Sequence, residues 1–165
     1  MVTPKMQDAL CKHAEQELYS AHLYLAMSAH CEAHTYKGFG RWLRVQHGKE
    51  LEHARKVVDH VLARGGRVTL GAIPAPPREM GTLLQVFEAV LEHERLVTER
   101  VQALYATAAA EKDPATQVFL QWFIGEQVEE ENLAAEIVDK LRMVGDRPGA
   151  ALYLDKEYGK RGRTT

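Results

Sequence analysis

Proline and glycine are sparse in this chain, and their positions leave four long segments in which little interrupts a helix. These segments predict α-helices over about residues 5–34, 39–64, 82–111 and 114–144. Thr3 and Pro4 suit the start of the first helix, and Asp113 with Pro114 suits the start of the fourth. A short fifth helix is predicted over about residues 148–159. The sequence therefore predicts an all-α protein.

The lengths of the connections constrain how these helices are arranged. The first and third connections are short, so each joins neighbouring antiparallel helices. Residues 65–80 differ, because a segment of this length reaches about 53 Å when extended, whereas a helix of about 26 residues is about 39 Å long. We therefore predict a four-helix bundle with one long crossover between helices two and three, in a single domain over residues 1–165.

Composition excludes several classes of function. The chain has 21 basic and 23 acidic residues, and a net charge of −2 provides no field for nucleic acid or an anionic membrane. No apolar run approaches the roughly 18 residues of a membrane span, and the first residues lack a signal-peptide layout. A basic segment, KRGR at 160–163, is interpreted as a solvated tail. We expect a cytoplasmic protein without nucleic-acid or membrane partners.

The two cysteines are not predicted to form a disulfide. Cys11 and Cys31 lie on the first predicted helix, about 30 Å apart at 1.5 Å per residue, which is too far for a bond. Free cysteine is usually buried, so we expect two inert thiols in the core.

Each long helix carries an acid in the stripe of apolar residues that should face the core. Steps of three and four residues place Glu94 and Glu130 in the stripes of helices three and four. Glu17 and Glu50 interrupt the first two stripes in the same way, and His53 lies one turn beyond Glu50. Ionised groups inside a packed core cost several kcal/mol unless something neutralises them. These side chains therefore need partners within the bundle.

The four acids are also predicted to lie near one height of the bundle. Glu94 and Glu130 are equidistant from residue 112, in the turn between helices three and four, so they should face each other. The midpoint of Glu17 and Glu50 falls about three residues before the turn at Gly38, so helix tilt or side-chain reach must close that gap. The pattern predicts a single layer of carboxylates.

Four carboxylates in one layer repel one another unless cations lie between them. Two divalent ions would balance their charge, and His53 would add a neutral nitrogen ligand. Oxygen-rich ligation with one imidazole suits iron or manganese better than a closed thiolate zinc site. The Glu50-x-x-His53 spacing alone favours a solvated helix face, since surface salt bridges produce it often. The four acids together favour a dimetal site.

Five motifs together carry a resemblance to a known family. They are QELYSAHLYLAMS at 16–28, KELEHA at 49–54, LEHE at 91–94, LQWFIGEQVEEE at 120–131 and ALYLDKE at 151–157. Through these motifs the chain closely resembles the bacterial non-haem ferritins over nearly its whole length. The resemblance implies a ferritin-like bundle that binds two iron ions per subunit at a ferroxidase centre.

By motif position, the resemblance also implies a role for individual residues. The implied ligands are Glu17, Glu50 and His53 for the first iron and Glu94 and Glu130 for the second, with Glu50 bridging. Gln127 would lie beside the centre, and Tyr24 would assist the oxidation chemistry.

The family further implies an assembly and a reaction. The assembly would be a homo-oligomeric hollow shell of 24 subunits, with the fifth helix lining a channel on the fourfold axis. Fe(II) would be oxidised by dioxygen or hydrogen peroxide and stored inside as a ferric oxyhydroxide mineral.

One departure from the family pattern concerns a third iron site. Many non-haem ferritins have a glutamate where this chain has Lys49, and that glutamate helps Glu126 and Glu129 hold a third iron. We hypothesise that Lys49 weakens this site. The alternative is that Lys49 only forms a surface salt bridge with Glu126 or Glu129.

A second departure separates the chain from neighbouring families. Bacterioferritins and rubrerythrins carry a second Glu-x-x-His on helix four, but here Glu130 is followed by Leu133. Leu51 stands where bacterioferritins place the methionine that binds haem, so no haem is expected.

Two other functions remain open at this point. A rubrerythrin-like diiron peroxidase or oxidase would use the same carboxylates, but the chain has no rubredoxin-like cysteine module to supply electrons. A metal-free helical interaction scaffold would use the buried acids only to specify helix pairing.

Overall fold

The computed structural model describes residues 1–161, which form five α-helices. Their bounds are α1 Pro4–Ala33, α2 Lys37–Ala63, α3 Leu83–Ala110, α4 Pro114–Val144 and α5 Pro148–Arg161. Every predicted end agrees with these bounds to within two residues. Residues 162 and 163 of the basic KRGR segment lie outside the described part of the chain.

Local side-chain signals set the start of three helices. Thr3 accepts a hydrogen bond from the backbone N–H of Met6 at the start of α1. Thr82 and Gln85 form a capping box at the start of α3, and Asp113 caps α4. These side chains satisfy backbone donors that have no partner within a helix.

The crossover, residues 64–82, connects α2 to α3 and lies along α1. Gln7 and Glu15 of α1 accept hydrogen bonds from backbone N–H groups of the crossover at 2.8 and 2.7 Å. His30, near the other end of α1, lies 2.9 Å from the carbonyl oxygen of Gly81. Because these contacts extend along almost all of α1, the crossover spans the height of the bundle. The predicted long crossover is confirmed.

Two apolar clusters form the core, and each contains residues from all four long helices. The α5-side cluster includes Leu23, Tyr24, Phe39, Leu43, Val90 and Ile137. The opposite cluster includes Met6, Leu10, Val57, Val101, Leu120 and Phe123. In each of α1 to α4, at least one buried acid lies between the two sets. We call the residues Glu17, Gln46, Glu50, His53, Glu94, Gln127 and Glu130 the polar layer.

The short helix α5 closes one end of the bundle against α2. Asp155 Oδ1 accepts a hydrogen bond from the backbone N–H of Phe39 at 2.8 Å. The ring of Tyr158 stacks on that of Phe39, with centroids 5.3 Å apart. These contacts extend the α5-side cluster to the end of the bundle.

Both cysteines are buried and unpaired, as predicted. Burial raises the pKa of the Cys31 thiol to about 12, which keeps it protonated and unreactive. Among the helices within residues 1–161, none has the length and apolar character that a membrane span requires.

Candidate metal centre

The predicted ligands are buried at mid-height between the two apolar clusters. No more than 3% of the surface of each is exposed, which is rare for acids. The residues concerned are Glu17, Glu50, His53, Glu94 and Glu130. They divide into a first half on α1 and α2 and a second half on α3 and α4.

In the first half, three side chains converge, and no lysine, arginine or side-chain amide within residues 1–161 donates to their carboxylates. His53 Nδ1 lies 3.3 Å from Glu50 Oε2 and 3.6 Å from Glu17 Oε2. One potential ligand atom from each of these residues lies within 4.8 Å of the other two. Glu17 Oε2 is buried and has no hydrogen-bond partner within residues 1–161. This arrangement fits a divalent cation, which would satisfy the unpaired oxygen.

In the second half, protein donors already surround both carboxylates. The hydroxyl of Tyr24 donates to Glu94 Oε1, and Gln127 Nε2 donates to Glu94 Oε2 at 3.0 Å. Glu130 Oε1 accepts a hydrogen bond from Lys49 Nζ at 2.9 Å, and the side-chain amide of Gln46 donates to Glu130 Oε2. An ion that binds here must compete with these donors for the carboxylate oxygens.

Gln46 is a residue of the site that was not predicted from the sequence. It lies on α2 one turn before Glu50, and 4% of it is exposed. A polar residue one helical turn from a buried acid is the sequence signal that could have found it.

Burial and mutual repulsion shift the acid–base behaviour of the layer. Desolvation raises the pKa of Glu50 above its usual range, and the neighbouring Glu17 carboxylate raises it further. Desolvation and the charge of Glu50 likewise raise the pKa of Glu94. Burial lowers the pKa of His53, but contacts with Glu17 and Glu50 raise it by more, so the net shift is upward. Without a metal, a protonated His53 therefore compensates the carboxylates.

Tyr24 lies fully inside the bundle beside Glu94. Burial and the Glu94 charge raise the pKa of its phenol well above the ordinary value. The phenol therefore remains a hydrogen-bond donor to the carboxylate. The ring packs edge-on against His93, with centroids 5.8 Å apart.

The residues predicted for a third site lie outside this buried set. The side chain of Glu126 is 28% exposed, and its Oε2 is 4.0 Å from His53 Nε2. Glu129 is exposed on α4. Lys49 forms its ion pair with Glu130, so the predicted alternative pairing with Glu126 or Glu129 is wrong. The flexible Lys49 side chain reaches the buried carboxylate of Glu130 at 2.9 Å.

His13 is a second residue of the site region that the sequence analysis missed. Only 3% of it is exposed, its Nε2 lies 3.1 Å from Glu17 Oε1, and its ring packs edge-on against Phe123. Desolvation by burial lowers the pKa of His13 to about 4, helped by nearby His53. Its position four residues before Glu17 was the available signal, because residues i and i+4 share a helix face.

Known proteins share this architecture. The family model described as a ferritin-like domain matches residues 7–144. The bacterial non-heme ferritin of Bacteroides fragilis is 42% identical over 161 residues, which cover 98% of this chain and 100% of that protein. That of Staphylococcus saprophyticus is 37% identical over 161 residues, which cover 98% and 96%. An open pore ferritin from the archaeon Archaeoglobus fulgidus matches with a TM-score of 0.94 at 48% identity, covering 96% of each chain. The chain therefore belongs to the ferritin family.

Proposed function

We propose that this protein is an iron-storage ferritin that oxidises Fe(II) at a diiron centre within each subunit. Glu17, Glu50 and His53 bind the first Fe(II), and Glu94 and Glu130 bind the second, with Glu50 between them. The observation that carries the proposal is the convergence of three buried ligand groups around an unpaired carboxylate oxygen. Buried charge of this kind needs a cation.

Iron is the substrate in this proposal, and dioxygen or hydrogen peroxide is the oxidant. Two Fe(II) ions give one electron each. Dioxygen takes up these two electrons with two protons to form hydrogen peroxide, or peroxide takes them up with two protons to form water. The protein's role is to hold both ions close enough to supply the electrons to one oxidant molecule.

Binding of two Fe(II) ions would add positive charge to the polar layer, and several of its side chains respond to that charge. Entry of two dications favours loss of the His53 proton, which frees Nδ1 as a ligand. Lys49 must leave Glu130 before that carboxylate can bind an ion. Tyr24 and Gln127 keep their donors directed at Glu94 and hold it in place.

We further propose that 24 copies of the chain form a hollow shell in which ferric oxyhydroxide accumulates. Membership of the ferritin family supports this assembly. Size-exclusion chromatography and electron microscopy after Fe(II) loading in air test it. A small oligomer that consumes peroxide without forming mineral would instead support the rubrerythrin-like alternative.

Stopped-flow oxidation of Fe(II) in air tests the diiron centre. Glu94→Ala removes a ligand of the second ion, so fast oxidation should fall by at least about tenfold, as for loss of groups that support a metal. Glu92→Ala removes an exposed acid on the same helix and should leave the rate unchanged. Wild-type rates in Glu94→Ala would contradict the proposal.

A further inference from the structure

His13 has an unusual environment for a buried histidine. It lies on α1 one turn before Glu17 and is almost fully enclosed. Its Nε2 is buried without a hydrogen-bond partner in the described part of the chain, although it lies 3.1 Å from Glu17 Oε1. Buried polar atoms nearly always have a partner, so this nitrogen requires an explanation.

The spacing between the two atoms suits a shared ion. Two ligand atoms bound at a right angle to one cation, with bonds of about 2.1 Å, are about 3 Å apart. A hydrogen bond of the same length would require the ring N–H to point at the oxygen, and this direction is not met between His13 and Glu17. The pair therefore has the separation of neighbouring ligands without the geometry of a donor and an acceptor.

The residues around His13 indicate that it acts at the buried metal centre and does not line an entry path for metal ions. It borders a cleft of about 260 Å³ between α1 and α3, which Lys12 and Arg100 also line. These two positive side chains repel a dication that approaches from this side. On its inner side the ring faces Glu17, and the electrostatic influence of Glu50 and His53 reaches it.

We propose that His13 is a second imidazole ligand of the first metal position and binds the same ion as Glu17. This inference rests on the proposed metal-binding function of the polar layer. His13 lies outside the set of three residues whose ligand atoms are within 4.8 Å of one another, so the ring or Glu17 shifts toward the ion on binding. The first position would then have two nitrogen ligands, and the second would have only oxygen.

Two nitrogen ligands have a consequence for metal preference. Imidazole suits later first-row metals, and affinities rise from Mn²⁺ to Co²⁺ at a given site. The first position should therefore discriminate between Co(II) and Mn(II) more strongly than a site with one imidazole. Loss of His13 should reduce this discrimination.

Anaerobic titration of the metal-free assembly with Co(II) tests the proposal. His13→Gln keeps a side chain that can donate a hydrogen bond to Glu17 but replaces imidazole with a poor ligand. The first Co(II) should bind at least about tenfold more weakly to this variant, with a changed visible spectrum. His22→Gln replaces an exposed histidine on the same helix and should match the wild type.

Crystals of the wild-type protein soaked with Co(II) give a result that does not depend on any variant folding. An anomalous peak within about 2.3 Å of His13 Nε2 and of a Glu17 oxygen supports the proposal. An ion held by Glu17, Glu50 and His53 but more than about 3 Å from His13 Nε2 overturns it and leaves the proposed function intact. Wild-type affinity in His13→Gln has the same meaning. Failure of the wild type to bind Co(II) in the layer would instead overturn the proposed function.

Discussion

The two halves of the polar layer contain equally buried carboxylates but compensate them differently. In the first half, Glu17 and Glu50 face His53, and Glu17 Oε2 has no hydrogen-bond partner among the described residues. In the second half, Glu94 and Glu130 each accept hydrogen bonds on both oxygens. The first half is arranged for an external cation, whereas in the second half protein donors already contact every carboxylate oxygen.

This difference predicts an order of binding. An ion in the first half would contact the Glu17 oxygen that lacks a hydrogen bond. An ion in the second half must compete with the Lys49 ammonium for Glu130. Two ions should therefore bind in separate steps, with the first step tighter.

The largest effect is expected at Glu50, because it belongs to the first half and would lie between the two proposed ions. Glu50→Ala should abolish both binding steps and slow Fe(II) oxidation by more than about a hundredfold. Loss of a group that only hydrogen-bonds to a metal ligand costs about 10- to 100-fold, and Glu50 is proposed to bind the ions directly. Calorimetric titration with Co(II) and stopped-flow oxidation measure the two effects. Glu52→Ala, at an exposed acid on α2, is the matched control. Retention of a tight first step would show that the halves are independent of Glu50.

A smaller effect is expected when Lys49 loses its charge. Lys49→Gln should tighten the second step by about fivefold and leave the first unchanged, because a half-exposed ion pair contributes about 1 kcal/mol. Titration with Co(II) measures both steps, and Lys56→Gln on the same helix is the control. The same titration tests the hypothesis of a weakened third site. A tight third ion per wild-type subunit would refute it.

The smallest effect concerns the stability of the metal-free protein. The folded-state pKa of Glu94 is raised, so its contribution to stability is present below the unfolded pKa of about 4.5 and is lost as pH rises through the higher folded value. Glu94→Gln removes this loss, and Gln127 can rotate its amide to accommodate the new side chain. The melting temperature of the variant relative to wild type should rise by about 3 °C between pH 5 and pH 8 in chelator. Equal pH dependence in both proteins would contradict the raised pKa.

The fold was predictable because its signals are local and strong. Proline, glycine and capping residues such as Thr82 define the helix ends, and the crossover is long enough to span the bundle. The acids of the layer were predictable because a carboxylate in an apolar stripe conflicts with its surroundings. Helix tilt and side-chain reach close the expected gap between Glu17 and Glu50, which both lie within 3.6 Å of His53 Nδ1.

The contacts around the acids were harder to predict. His13 and Gln46 lie beside the apolar stripes, where polar residues usually face solvent and attract no notice. The partner of Lys49 depends on which of several acids on α4 its flexible side chain can reach. Such choices are decided by distances of a few ångströms between helices, which the periodicity of a single helix does not contain.

The position of the polar layer between two apolar clusters has a wider consequence. Each cluster contains residues from all four long helices, so apolar packing holds the bundle together both above and below the polar layer. The polar layer can therefore be redesigned separately from the two apolar clusters. Replacing its side chains as a set, while leaving both clusters intact, offers a route to other redox ions in the same bundle.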